Sequence, residues 1–245
     1  PTSTVAASPT PGAYPPTGTA TVSSLTNRPN GSPVTAAYLT APPTIDGSLS
    51  DWSSTIYSAR QVIFGAGNWS GAADLSASYY IGWDTTNLYL GIKVSDDKLV
   101  QISHGASIFK GDDVELQLDS ALAIDFYTTS LSSDDFQIGL SPGNFDNLAP
   151  EAYRWYPVSQ AGSLSSVVVK ANKDSGGYIL EAKIPWAVFG LAPTGGEHYG
   201  FALSVSDDDL SGKAVQQSMV SSVSTRNLVN PTTWGTLILE SPAGK

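Results

Sequence analysis

The chain has no cysteine. Disulfide staples and Cys-ligated zinc are therefore excluded, although the absence does not choose a compartment, because oxidising surroundings permit disulfides without requiring them. Histidine is nearly missing as well. His104 and His198 are the only two, they lack the His-x-x-x-His spacing, and no zinc motif can be written with them. There is no apolar run long enough to span a bilayer and no charged-then-apolar leader, so any signal peptide is expected to have been removed already. Positive charge is scarce. Twelve Lys and Arg stand against 22 Asp and Glu, a net charge of −10, which argues against nucleic acid and anionic membrane as partners and is compatible with neutral ligands and with cations. Long amphipathic helical patterns are also lacking, and only 14% of residues are charged. Gly, Ser, Thr and Asn supply the polar surface instead, as suits a turn-rich β protein.

What is present falls into two parts. Residues 1–40 hold seven Pro, nine Thr and five Ser with one charge, Arg28. Such a segment buries too little apolar surface to offset its ordering entropy, so residues 1–36 read as an extended linker or assembly arm. The piece from Ala20 to Leu25 has the composition to add as a strand to an open sheet edge of a neighbouring copy. Residues 37–245 read as the folded part.

That part is organised around Ala73–Asp97. Leu75, Ala77, Tyr79, Ile81 and Trp83 share one parity, and Leu88, Leu90, Ile92 and Val94 share another after the polar break Asp84-Thr85-Thr86-Asn87. Two half-buried strands joined by a turn explain the pattern. Val114, Leu116 and Leu118 alternate with polar neighbours in a third strand. Further strands are expected over Ala36–Leu39, Arg60–Phe64, Ile124–Tyr127, Phe136–Leu140, Glu151–Val158, Ser165–Lys170, Gly177–Ile184, Tyr199–Val205, Ala214–Val220 and Trp234–Leu239. One short helical turn is expected at Pro185–Gly190. The fold class is all-β: a two-sheet antiparallel β-sandwich of immunoglobulin or jelly-roll kind with an extended N-terminal arm. Trp52, Trp83, Trp186 and Trp234 fall at strands or strand ends that a sandwich buries.

Taken in order, Ile45-Asp46-Gly47 with Asp51-Trp52, Trp83-Asp84 with Leu88-Tyr89, Gly111-Asp112-Asp113-Val114-Glu115 with Asp119, and Tyr178 through Glu181-Ala182 to Ile184-Pro185-Trp186 resemble family 9 carbohydrate-binding modules. The likeness spans roughly residues 37–239. It implies an extracellular, non-catalytic β-sandwich that carries structural calcium and binds a glycan. In the family two Trp sandwich a terminal sugar, assisted by Glu and Arg. The corresponding positions here are Phe109 for the first Trp, Glu115 for the Glu, Gln137 for the Arg and Leu228 for the second Trp. One aromatic wall is thus conservatively changed and the other lost. Trp69, in a Gly-rich loop, and Trp155, in the run Tyr153-Arg154-Trp155-Tyr156, are the aromatics available to replace it, because pyranose C–H faces stack on flat rings.

Several other patterns carry chemistry. Asp207-Asp208-Asp209-Leu210-Ser211-Gly212 contains an Asp-x-Asp-x-Ser-Gly opening, in which Asp207, Asp209 and Ser211 would offer oxygens to calcium, although its twelfth position is Ser218 and it joins strands. Asp119, Asp134 and Asp135, with Asp96-Asp97 and Asp112-Asp113, are acids at strand ends that repel unless a cation or protons separate them. Asn30 and Asn68 fit the N-glycosylation acceptor pattern. Gly139-Leu140-Ser141-Pro142-Gly143 matches a nucleophile elbow, but no helix follows it, so a turn is expected. Met219 with a His would allow the haem ligation of some DOMON-type sandwiches; ordinary core or surface roles are expected instead. A second function reading is a structural subunit of an extracellular layer or filament, a homo-oligomer joined through residues 1–36.

Overall fold

The computed structural model describes residues 25–243. Among them run fourteen strands: β1 (Val34–Tyr38), β2 (Tyr57–Ala59), β3 (Gln61–Phe64), β4 (Leu75–Trp83), β5 (Asn87–Asp96), β6 (Asp113–Asp119), β7 (Asp135–Ser141), β8 (Glu151–Tyr156), β9 (Gly162–Ser163), β10 (Val168–Asp174), β11 (Gly177–Pro185), β12 (His198–Asp207), β13 (Ser218–Ser221) and β14 (Gly235–Leu239).

The alternating stretch folds as the hairpin β4–β5, in register from Leu75 opposite Asp96 to Trp83 opposite Leu88. Its turn is fixed by Asp84, whose Oδ1 accepts from the backbone N–H of Thr86 and of Asn87 at 2.7 Å each, an Asx-type closure that competes with further strand. One sheet runs β10–β11–β5–β4 with β2 beside β4. The other runs β14–β12–β6–β7–β8–β9, with β13 on β12 and β3 on β13. Tyr79, Ile81, Leu90 and Ile92 of the first and Leu116, Leu118, Ile138 and Leu203 of the second are fully buried. Each large aliphatic side chain buried in this way contributes about 1.5–3 kcal/mol. Trp83, Trp186 and Trp234 are buried as well, and Trp52 is 8% exposed.

The expectation of purely antiparallel pairing needs one correction. β1 pairs parallel with β14 through Val34–Ala36 and then parallel with β4 through Ala37 and Tyr38. It therefore changes sheets and closes one side of the sandwich, as strands at sandwich corners do. A second passage lies nearby: β2 pairs with β4 while β3, one residue further on, pairs with β13, so the chain crosses between sheets at Arg60.

The motif around Asp46 and Trp52 has a structural reason. Glu181 of β11 is buried and accepts from the Trp52 indole at 2.7 Å and from the backbone N–H groups of Asp46 and Gly47 at 2.8 and 2.7 Å. The indole lies over Gly91, where a Cβ would come within 2.6 Å of the ring. The buried carboxylate is thereby paired with three donors, which offsets its desolvation.

Other expectations shift. Ile124–Tyr127 is a succession of turns: Ile124 and Thr128 donate back to Ala121 and Asp125, and Ile124 and Tyr127 are 87% and 75% exposed with no strand beside them. The strand expected over Ala214–Val220 is confined to β13. β10 runs past the expected Lys170 to Asp174, leaving Ser175-Gly176 to connect the hairpin. The boundary at residue 37 falls inside β1, and the fold begins earlier: Arg28 is 3% exposed, donates from its backbone N–H to Thr236 Oγ1 at 2.8 Å and pairs with Asp119 at 2.8 Å. The strand-addition piece from Ala20, apart from Leu25, lies outside the described residues. Trp186–Phe189 forms the short turn expected there. Gly143 turns with φ 68° after β7, and Ser141 is buried, accepting from its N–H at 3.1 Å. Met219, on β13 opposite Ser206, and His198, at the start of β12, are about 26 Å apart at strand spacing, too far to hold one haem between them. Among the described residues no helix is long and apolar enough to cross a membrane.

Candidate functional site

The pattern in β6 sends Val114, Leu116 and Leu118 into the core and Asp113, Glu115, Gln117 and Asp119 to the other face. That face is not open to water. All four polar residues are buried, because the 3-10 turn Gly105–Lys110 and the segment 222–234 cover it.

Between these covers lies a cleft of about 510 Å³ lined by Phe109, Glu115, Gln137, Trp155, Arg226 and Leu228, with Phe64 and Met219 at its side. Four of the five residues singled out for sugar contact thus share one hollow, together with Leu228. Phe109 and Trp155 meet edge to face, ring centres 6.1 Å apart at 80°, so they form an apolar corner. Trp155 is held by its indole N–H, which donates to Ala106 O at 2.9 Å, and by lying across Gly139, where a Cβ would approach the ring to 2.3 Å. Phe64 adds a ring that is 51% exposed. Such partly exposed rings beside fixed polar groups suit a ligand with both apolar and hydroxyl faces.

The polar side is an ion pair that the sequence did not reveal. Arg226 Nη2 meets Glu115 Oε2 at 2.5 Å, both side chains 7% exposed. The same guanidinium donates from Nε to Gln117 Oε1 and from Nη1 to Met219 Sδ, each at 3.3 Å. Gln137 spends its amide on Leu228 O, fixing the loop that brings Leu228 to the cleft. Deeper on the same face Asp113 is fully buried, with no partner for either oxygen. Burial, and then the negative charge of Glu115, hold its carboxyl well above the usual range.

Trp69 is not in this cleft. Its indole donates to Leu75 O at 2.9 Å and its ring packs on the main core, at the end where Ser70 N–H donates to Asp74. Asn68 is exposed and its amide donates to Gln217 O at 2.9 Å. Asn30 donates from its amide to Thr232 O and Trp234 O at 2.7 and 2.8 Å, so that nitrogen already serves the fold.

The acidic residues gather differently from the loop pattern. Asp207 and Asp209 meet Asp96, and Asp209 also meets Asp74 and Asp97, with carboxylate oxygens in each trio within 4.8 Å of one another. These residues come from the start of β4 and the ends of β5 and β12. Ser211 is exposed. Asp96 Oδ2, Asp207 Oδ1 and Asp209 Oδ1 have no partner, although Asp96 and Asp207 are 3% and 1% exposed. Burial first, then the neighbouring Asp charges, push the Asp96 carboxyl up to about 6 and that of Asp207 to about 7. Unpaired oxygens at this spacing fit a hard cation of calcium size, which takes its ligands at about 2.3–2.6 Å. The second trio, Asp119, Asp125 and Asp134, already has a cation in Arg28. Asp135 lies beside it, its Oδ2 accepting from Ser132 N–H at 2.7 Å and its Oδ1 buried without a partner.

A family model described as carbohydrate family 9 binding domain-like matches residues 45–242. The chain belongs to that family. Among solved structures it is similar to a carbohydrate binding module family 9 from Caldicellulosiruptor kristjanssonii in complex with cellotriose, at 22% identity and TM-score 0.66, covering 87% of this chain and 96% of that one. The same source's module in complex with glucose matches at 23% identity and TM-score 0.67, covering 87% and 98%. A putative carbohydrate-binding protein from Bacteroides uniformis matches at 11% identity and TM-score 0.60, covering 85% and 99%. No curated protein matches the chain. At these identities the structures establish the family 9 fold, while the lining of the cleft remains this domain's own.

Proposed function

We propose that this family 9 domain is a non-catalytic, extracellular glycan-binding module whose ligand lies in the cleft of Phe109 and Trp155, with calcium tying together the strand ends at Asp96, Asp207 and Asp209. The observation that carries the reading is the convergence of Phe109, Glu115, Gln137 and Trp155, which come from four separate segments, on one partly apolar hollow. In it a pyranose ring sets its C–H face on Trp155 or Phe109 while its hydroxyls meet Arg226 and Glu115, which line the same hollow. β-1,4-linked glucose oligomers are the ligand class to try first, because family 9 modules of the same fold were solved with cellotriose and glucose. An open corner of two rings in place of a parallel pair favours contact along a chain over a tight grip on one end.

Affinity electrophoresis in gels containing soluble β-glucan, xylan or mannan tests the reading. The parent protein is expected to be retarded by at least one polymer. Trp155→Ala should abolish that retardation, a loss of about 1–3 kcal/mol of stacking and burial. Retardation by none of them would overturn the proposal.

A further inference from the structure

A second hollow, of about 470 Å³, shares no lining residue with the glycan cleft. It opens into the seam between the two sheets, framed by Val34 at the start of β1, two residues before that strand changes sheets, and by the β2–β3 passage at Arg60. Its wall combines apolar Val34, Ile56 and Phe201 with the hydroxyls of Ser58, Ser222 and Tyr79. In a chain with 22 carboxylates, none lines this hollow. The one charge there is Arg60, exposed and without an ion pair among the described residues.

Tyr79 supplies an independent sign. It is fully buried and lines the hollow, and its hydroxyl has only a poorly formed contact with Ser222 and no well-formed hydrogen bond. A buried hydroxyl without a partner is costly, and native chains rarely keep one unless something fills the gap. Burial also holds this phenol protonated, so it offers a hydrogen. Arg60 offers several more, in a planar fork that matches a carboxylate. The hollow is therefore rich in donors, contains an unpaired cation and has an apolar floor of monosaccharide size.

We propose that this seam is a second binding site, specific for a sugar that carries a carboxylate, such as a uronic acid. Arg60 takes the carboxylate and the Tyr79 hydroxyl donates to a ring or hydroxyl oxygen. The site shares no residue with the Phe109–Trp155 cleft, so it stands or falls separately.

The test is an NMR titration of the full chain with sodium glucuronate, with glucose as the neutral control. Glucuronate is expected to shift the Arg60 side-chain N–H and the Ser58 and Ser222 amides saturably. Glucose should bind there at least about 10-fold more weakly, since it forgoes a charge-assisted hydrogen bond. Arg60→Gln should weaken glucuronate about 10-fold and Tyr79→Phe, which removes only the oxygen, about 5-fold. Shifts confined to the Phe109–Trp155 cleft, no shift around Arg60, or equal affinity of the Arg60→Gln variant would overturn the proposal.

Discussion

Removing calcium at pH 7.5 is expected to lower the melting temperature by about 10 °C, and removing it at pH 4.5 to change almost nothing. The reason lies in the trios at the ends of β4, β5 and β12. The carboxyls of Asp96 and Asp207 are pushed up to about 6 and about 7, by burial first and by the charges of neighbouring Asp residues second. Unfolded Asp titrates near 4. Between about pH 4 and 7 the cation-free folded state therefore holds protons that the unfolded chain has released, and its stability falls as pH rises through that window. A calcium ion bound there would replace those protons and reverse the loss, so its affinity should rise with pH over the same range. Calcium at about 1,000 times its dissociation constant contributes about 4 kcal/mol, which corresponds to about 10 °C for a domain of this size. Asp209→Ala should reproduce the effect of a chelator, because Asp209 belongs to both trios. Melting curves in EDTA and in calcium that coincide at pH 7.5 would remove the metal from the account.

The second large effect concerns Arg226. Changing it to Ala leaves the Glu115 carboxylate buried against Gln117 with no positive partner, a loss of about 3–5 kcal/mol and again about 10 °C. Because the cost comes from stranding a charge, neutralising the partner should restore most of it. The double variant Glu115→Gln with Arg226→Met is expected to melt close to the parent, yet to show no retention on the polymer that retards the parent. Denaturant unfolding alongside affinity electrophoresis separates the two roles. A double variant that binds as the parent does would show that the pair serves only the fold.

How much of this could be read from the residues alone depended on whether the signal was local. The β4–β5 hairpin and β6 were legible because period-2 alternation and the Asp84 turn are written in adjacent positions. The Ile124–Tyr127 stretch has the same local pattern, but no neighbouring strand pairs with it, and pairing is a long-range fact. The sheet exchange of β1 is equally non-local, since Val34 and Tyr38 find partners more than a hundred residues apart along the chain. In the candidate cleft, Phe109, Glu115 and Gln137 were named through the resemblance to family 9 modules, and Trp155 from the run Tyr153-Arg154-Trp155-Tyr156. Arg226 was not, because it reaches Glu115 from 111 residues away. The Asp-x-Asp-x-Ser pattern named Asp207 and Asp209, and Asp96-Asp97 stood out separately as strand-end acids, but that these gather with Asp74 is a long-range fact.

The most direct test of the central claim is a titration of the whole chain with cellotriose, followed at the indole N–H signals of its six tryptophans. The account predicts that the Trp155 signal, now bonded to Ala106, shifts saturably while those of buried Trp83, Trp186 and Trp234 stay in place. A saturable response that leaves Trp155 unmoved, or none with any β-linked oligosaccharide, would contradict it.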